Sequence, residues 1–387
     1  MQGRPPRILT IYFRHQRGGL LKRFYTLVEA LAARGFEVHV VSAAPLALAP
    51  RASVIAHRVW WPGVDPGGLA FWLWFTLAAP WTLLRVALAV RPRALLVFDP
   101  YYAVLGIVAS ACARMPIVSF VRATPWRARM RIAAEGVAWR LATALDVVGL
   151  RASAHVVTIT RAMIAELAER VPGIEPRCAV LPNSLVAPPE GLPSRAVARA
   201  RLCRETRWPE DALIVAAAGV LSERKNVALA LEALALVPEP RVTLLVVGDG
   251  PTRQALEDRV SVLGLRSRVH FAGWIEEPLP LVLGADLFVL PSVHEGASNA
   301  LLEAWGAGLP VLAARTPESV EIVGDDSLLF DGREPGDLAA RLTSLARDPD
   351  ALARLARASA ERGRPLAFDW GDRAVALLER LLGSGPK

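Results

Sequence analysis

The stretch Leu213-Ile214-Val215-Ala216-Ala217-Ala218-Gly219-Val220-Leu221-Ser222-Glu223-Arg224-Lys225-Asn226 runs from an apolar segment, through a glycine, to two adjacent cations. The apolar part has strand length, the glycine marks a turn, and apolar helical periodicity resumes after Asn226. A buried strand feeding a helix is the unit of a parallel sheet, because parallel neighbours need a crossover between them. The same alternation extends in both directions. Upstream it predicts strands at Ile8–Phe13, Val38–Ser42, Val54–Val59, Ala94–Phe98, Ile117–Val121, Val156–Thr160 and Ala179–Leu181. Downstream it predicts Val242–Val247, Val269–Phe271, Leu287–Leu290 and Val311–Ala313. Helices such as Gly19–Arg34 and Tyr101–Ala113 separate them.

The rhythm pauses at Pro182–Pro193, where Pro, Asn, Ser and Gly cluster. We therefore expect residues 1–186 to form one domain, 187–210 a linker and 211–368 a second domain. The last amphipathic helix, within 369–387, is expected to cross back to the first. The fold class is α/β: two Rossmann-like, doubly wound parallel-sheet domains facing a central cleft. A chain of 387 residues is long for one core and suits two. With 53% hydrophobic and 21% charged residues it is globular and not disordered. Its three cysteines (Cys112, Cys178, Cys203) are far apart, which fits reduced thiols in the cytoplasm. No secretory leader is read at Met1–Phe13.

Ligands of such sheets bind beyond the carboxyl ends of the strands, so the loops there are the places to look. After Leu287–Leu290 comes Val293-His294-Glu295-Gly296-Ala297-Ser298-Asn299-Ala300-Leu301-Leu302-Glu303-Ala304. Ser298 or Asn299 can cap the helix that follows, whose first amides form a phosphate site. Glu295 and Glu303 then stand on either side, able to accept hydrogen bonds from two sets of hydroxyls. Arg224 and Lys225 can neutralise a diphosphate and the charge that develops as it leaves. Lys225 runs against the chain's own bias, since there are three lysines and 42 arginines. Gly248 and Gly250 permit a tight turn and close backbone approach, and Gly18-Gly19 offers amides between the first strand and its helix.

Together these segments resemble the retaining glycosyltransferases of family 4, which have the GT-B fold and an E-x7-E motif. The resemblance covers nearly the whole chain and is most specific at His294–Pro310. It also takes in Gly18-Gly19, Leu181–Ser184, Ser222–Asn226, Gly248–Pro251, Val269–Trp274 and Phe368-Asp369-Trp370. It implies that Arg224 and Lys225 bind the donor diphosphate with help from Gly18-Gly19. It also implies that Glu303 holds ribose hydroxyls and Glu295 those of the transferred sugar. Gly273-Trp274 would edge the base, while amides near Ser298-Asn299, with the turn at Gly248 and Gly250, would approach phosphate and sugar. A nucleoside-diphosphate sugar is the donor substrate, with no further cofactor and no essential metal. Relatives often carry a His after the fifth strand where this chain has Arg122. That residue is either an electrostatic stabiliser, an acceptor-phosphate ligand or a surface Arg. Arg315-Thr316-Pro317-Glu318 replaces a glycine-rich turn. Other readings are a sugar-nucleotide epimerase on the same fold and a non-catalytic scaffold.

The charge is unevenly spread. Residues 1–186 carry 22 Lys and Arg against 9 Asp and Glu, whereas 187–387 carry 23 against 28. Seven of the eleven tryptophans also lie in the first half. A basic, Trp-rich half with long apolar helices fits an anionic membrane surface. Nucleic acid is the weaker partner, since no helix-turn-helix or zinc pattern accompanies the charge. Leu69–Val90 can be read as spanning a bilayer, buried on the sheet, or lying on the membrane. Trp126, and Arg127, Arg129 and Arg131 of a helix expected over Arg127–Arg151, are the candidate acceptor-side or membrane-side residues. The expected enzyme is peripheral to the cytoplasmic face of the inner membrane, with an acceptor glycan or lipid-linked sugar in envelope synthesis. Its oligomeric state is left open.

Overall fold

Among the described residues, thirteen short strands carry the framework. The computed structural model describes all residues except 1–4, 14–18, 47, 50, 61–62, 64–67, 129–135, 296–297 and 384–387. The first seven strands are β1 (Arg7–Ile11), β2 (Glu37–Ser42), β3 (Val54–Arg58), β4 (Ala94–Val97), β5 (Ile117–Phe120), β6 (His155–Thr158) and β7 (Cys178–Val180). They form one parallel sheet in the order β3-β2-β1-β4-β5-β6-β7. The other six are β8 (Leu213–Ala218), β9 (Val242–Val247), β10 (Val269–Gly273), β11 (Leu287–Leu290), β12 (Val311–Ala314) and β13 (Leu329–Phe330). Their parallel order is β10-β9-β8-β11-β12-β13.

The strand order of each sheet reverses once, between β1 and β4 in the first and between β8 and β11 in the second. These are the switch points where loops leave in opposite directions and open a crevice. Central strands are largely apolar because helices cover both faces, as in Val242-Thr-Leu-Leu-Val-Val of β9, where every residue is buried. All twelve expected strands are present, with ends shifted by a few residues. β13 was not expected: its two residues, Leu329 and Phe330, are too short a run to show periodicity.

The chain divides into two compact units, Met1–Pro182 with Asp369–Lys387, and Asn183–Phe368. The helix Trp370–Leu381 is part of the first unit and packs on the helix Gly19–Ala33. Gly371 allows this, since a Cβ there would sit 2.8 Å from the Ala30 methyl. The expected linker at 187–210 is not a bare tether. It contains the helix Arg195–Thr206, whose Ala198, Leu202 and Cys203 enter the second unit's core. Gly284 lets that helix approach, because a Cβ there would meet the Ala198 carbonyl oxygen at 2.8 Å. Polar and Pro-rich composition at 182–193 masked the apolar stripe just beyond it.

Two further expectations change. The helix read over Arg127–Arg151 is described as a short Pro125–Ala128 turn and a helix at Val137–Ala152. The 22-residue helix Leu69–Val90 is long and apolar enough to cross a membrane. It nevertheless packs on β1 and β2 and buries Phe71, Phe75, Ala79 and Leu83 in the first unit. Removing it into a bilayer would uncover that side of the sheet, so the spanning alternative is set aside.

Candidate active site

The second unit's site grows from its switch point. β8 ends at Ala218, and Gly219 then turns with φ +142° while donating its amide to the Val247 carbonyl at 2.9 Å. Leu221 donates to the Asp249 carbonyl at 2.9 Å. The loops after β8 and β9 are thus laced backbone to backbone. Only glycine permits this at two points: a Cβ on Gly248 would sit 2.0 Å from the Gly219 oxygen, and one on Gly250 2.3 Å from the Leu221 oxygen. The segment then winds into the 3-10 turn Glu223–Lys225, and Asn226, with φ +50°, reverses it into the helix Val227–Leu236. Asn tolerates that left-handed conformation better than most residues.

That turn places the two cations together. The loop after β11 runs beside it, with the Val293 amide donating to the Arg224 carbonyl at 2.9 Å. Glu295 is thereby brought to both bases: its Oε1 lies 2.7 Å from Arg224 Nη1 and 2.5 Å from Lys225 Nζ. Arg224 also donates to the His294 carbonyl at 3.1 Å. Lys225 and Glu295 are only 13% and 14% exposed, while Arg224 is 44% exposed. Gly219 again makes the room, since a Cβ on it would be 3.1 Å from Lys225 Cε. Three charges therefore share a half-dry corner, with one net positive charge. An incoming diphosphate would exchange for the carboxylate on these bases, leaving Glu295 free to accept from hydroxyls.

Ser298 caps the next helix, Asn299–Gly306, by accepting from the Leu301 amide at 3.5 Å, and Asn299 is its first residue. Glu303 lies on that helix and is half-buried. β10 ends in Gly273, at φ +74°, whose carbonyl accepts from the Gly248 amide at 2.8 Å. The following Trp274 is exposed. Arg253, missed in the sequence reading, stands at the same end: its guanidinium lies 4.9 Å from the Phe271 ring centre. Its only sequence signal is an Arg at the start of the helix that follows the Gly248–Pro251 turn. Arg315 pairs with Asp326 at 2.8 Å, and Thr316 caps the helix Pro317–Val323 through a capping box with Ser319.

In the first unit Gly18 lies outside the described residues and Gly19 opens its helix. Arg122 follows β5 and is not a free surface cation. It donates to the Leu181 carbonyl at 3.4 Å and stacks 5.2 Å from the Trp370 ring centre, with Arg23 at 5.3 Å from the same ring. Burial, and secondarily the charge of Arg23, pulls Arg122 down to about 9, still protonated at neutral pH. Nothing in the residues around Arg122 signals that Trp370, some 250 residues away, is its platform.

Trp126, read as an acceptor-side or membrane-side residue, is 5% exposed. Arg170 covers it, 5.1 Å from its ring centre, so a cation from the helix Arg161–Arg170 replaces the expected surface. Arg129 and Arg131 lie outside the described residues, as does the side chain of Arg127.

Residues 17–185 match the family described as Glycosyltransferase Family 4, and residues 212–348 match Glycosyl transferases group 1. The lipopolysaccharide core biosynthesis glycosyltransferase LpsD of Rhizobium meliloti (strain 1021) is 37% identical over 171 residues, covering 44% of this chain and 48% of LpsD. The chain thus spans about half the length of that curated relative. Among solved structures, Anabaena HepE in complex with UDP superposes with a TM-score of 0.74 at 18% identity, covering 97% of this chain and 100% of HepE. WaaG, a glycosyltransferase involved in lipopolysaccharide biosynthesis, superposes with a TM-score of 0.71 at 20% identity, covering 98% and 100%. Two parallel-sheet α/β units and these neighbours define the GT-B fold. Each unit of the chain thus matches one glycosyltransferase family model over most of its length.

Proposed function

We propose that the chain is a retaining glycosyltransferase that moves a sugar from a nucleoside-diphosphate sugar to a hydroxyl of a lipid-linked cell-envelope glycan. The observation that carries this reading is the Arg224–Lys225–Glu295 cluster at the carboxyl ends of β8 and β11. HepE has been crystallised with UDP and with UDP-glucose, which supports a uridine diphosphate donor. LpsD and WaaG support an envelope glycan as acceptor.

In the proposed reaction the bond from sugar C1 to the diphosphate oxygen breaks, and its electron pair leaves with the phosphate. Arg224 and Lys225 stabilise that charge in a corner where water screens it little. The acceptor hydroxyl attacks C1 from the same face and gives its proton to the departing phosphate oxygen, which preserves configuration. Glu295 accepts from the sugar's hydroxyls and Glu303 from the ribose. Charge stabilisation falls to the two bases, so no metal or other cofactor is required. We place the enzyme in the cytoplasm, at the inner face of a membrane that displays the acceptor.

Calorimetry with UDP tests the donor half. Lys225→Ala should weaken UDP binding by about tenfold or more, the scale of one charge-assisted contact. Equal affinity in wild type and variant would sink the assignment.

A further inference from the structure

The helix Leu69–Val90 is apolar on both sides, and only one is used by the core. Leu73, Leu77, Trp81 and Leu88 are exposed, Leu77 and Trp81 each at 74%. Their spacing of four, four and seven puts them on one stripe. The helix Pro100–Ala113 packs beside it and contributes exposed Val108. Against that helix lies Val137–Ala152, which exposes Val137, Leu141, Leu145 and Val148 in a second stripe. Trp60, 72% exposed, stands next to Trp74 with ring centres 6.3 Å apart. Soluble surfaces seldom present apolar side chains in rows like these without a partner to cover them.

The charge around the rows says what kind of partner. From Leu69 to Ala154 the sequence has ten arginines and three acids. Of those acids, Asp99 is occupied capping the helix Pro100–Ala113, Asp146 is fully buried, and Glu135 lies outside the described residues. Arg85, Arg114, Arg140 and Arg151 are exposed. A second copy of this chain, related by a two-fold axis, would set those arginines against their own counterparts. An anionic bilayer accepts both features at once: apolar and indole groups enter the headgroup boundary while arginines meet phosphates.

We propose that this three-helix face docks on an anionic phospholipid surface. The proposal rests on the membrane location given above and assigns it to particular side chains, in place of Trp126. Flotation of the full chain with vesicles of phosphatidylglycerol and phosphatidylcholine, against phosphatidylcholine alone, tests it. Wild type should float with the anionic vesicles at low salt and much less at high salt. The exposed double variant Leu77→Ser/Trp81→Ser should lose about tenfold of the bound fraction. Arg85→Glu/Arg140→Glu should abolish the preference for anionic vesicles. UDP calorimetry on the same samples should stay at the wild-type value in both variants, which separates lost docking from lost folding. Wild type that ignores anionic vesicles overturns both the face and the membrane location. Variants that float like wild type overturn the face alone. A wild-type dimer that Leu77→Ser/Trp81→Ser converts to monomer would assign the face to protein contact and overturn the proposal. Wild type that floats but does not bind UDP leaves the face standing and removes the transferase reading.

Discussion

The two units share a parallel sheet with one switch point, yet they carry their chemistry in different ways. In the second unit the charged groups lie on two loops that a reader of the sequence can circle: Ser222–Asn226 and Val293–Asn299. Backbone hydrogen bonds between strand-end loops bring them together, and three glycines clear the space. In the first unit the notable groups come from distant segments. Arg122, Arg23 and Trp370 meet only because the last helix packs on the first. Its exposed rows likewise come from separate helices. A short local motif suits a site that must hold one ligand rigidly. A surface assembled from several helices suits a broad partner without fixed atomic positions.

The sharpest break would come from Glu295→Gln. The amide keeps the shape but loses the charge that pairs with Arg224 and Lys225 and that, in the proposed reaction, accepts from the sugar. Transfer should fall by about a hundredfold or more, as for loss of one preorganised polar contact. Full turnover in a coupled UDP-release assay would remove the second unit's site from the comparison. Trp370→Ala should cost the first unit about 3–5 kcal/mol, since the ring is buried and two guanidinium groups lose their platform. Denaturant unfolding reads this directly, and a change within error would mean that the last helix contributes little.

Gly248→Ala probes the second unit in the same manner. Its φ of +135° and the clash with the Gly219 oxygen predict a loss of about 3 kcal/mol. UDP affinity should fall with it, because the same turn positions Lys225; stability lost with affinity intact would uncouple scaffold from site.

The smallest expected effect is a pH dependence. Burial, then the neighbouring charges of His39 and Arg85, holds His57 below the usual imidazole value of 6.5. Below that value the unfolded chain takes up a proton that the folded chain resists, so stability falls as the pH drops through the interval just beneath it. His270 in the second unit is lowered too, chiefly by burial. His57→Gln and His270→Gln should each flatten part of the slope of thermal stability against pH. An unchanged slope in both would place the acid sensitivity elsewhere.

The sequence by itself determined the α/β alternation, twelve of the thirteen strands and the proximity of Arg224 to Lys225. Each depends on local periodicity or on residues adjacent in the chain, which survive without knowledge of packing. It also proposed Glu295, through an ordered set of short motifs. Tertiary structure decided that Glu295 sits directly on both bases, that Arg122 and Arg23 share Trp370, and that Trp126 is buried beneath Arg170. It also decided which side of Leu69–Val90 is core and which is open. A helix apolar on every side carries no stripe to read, and burial follows from which neighbours pack against it.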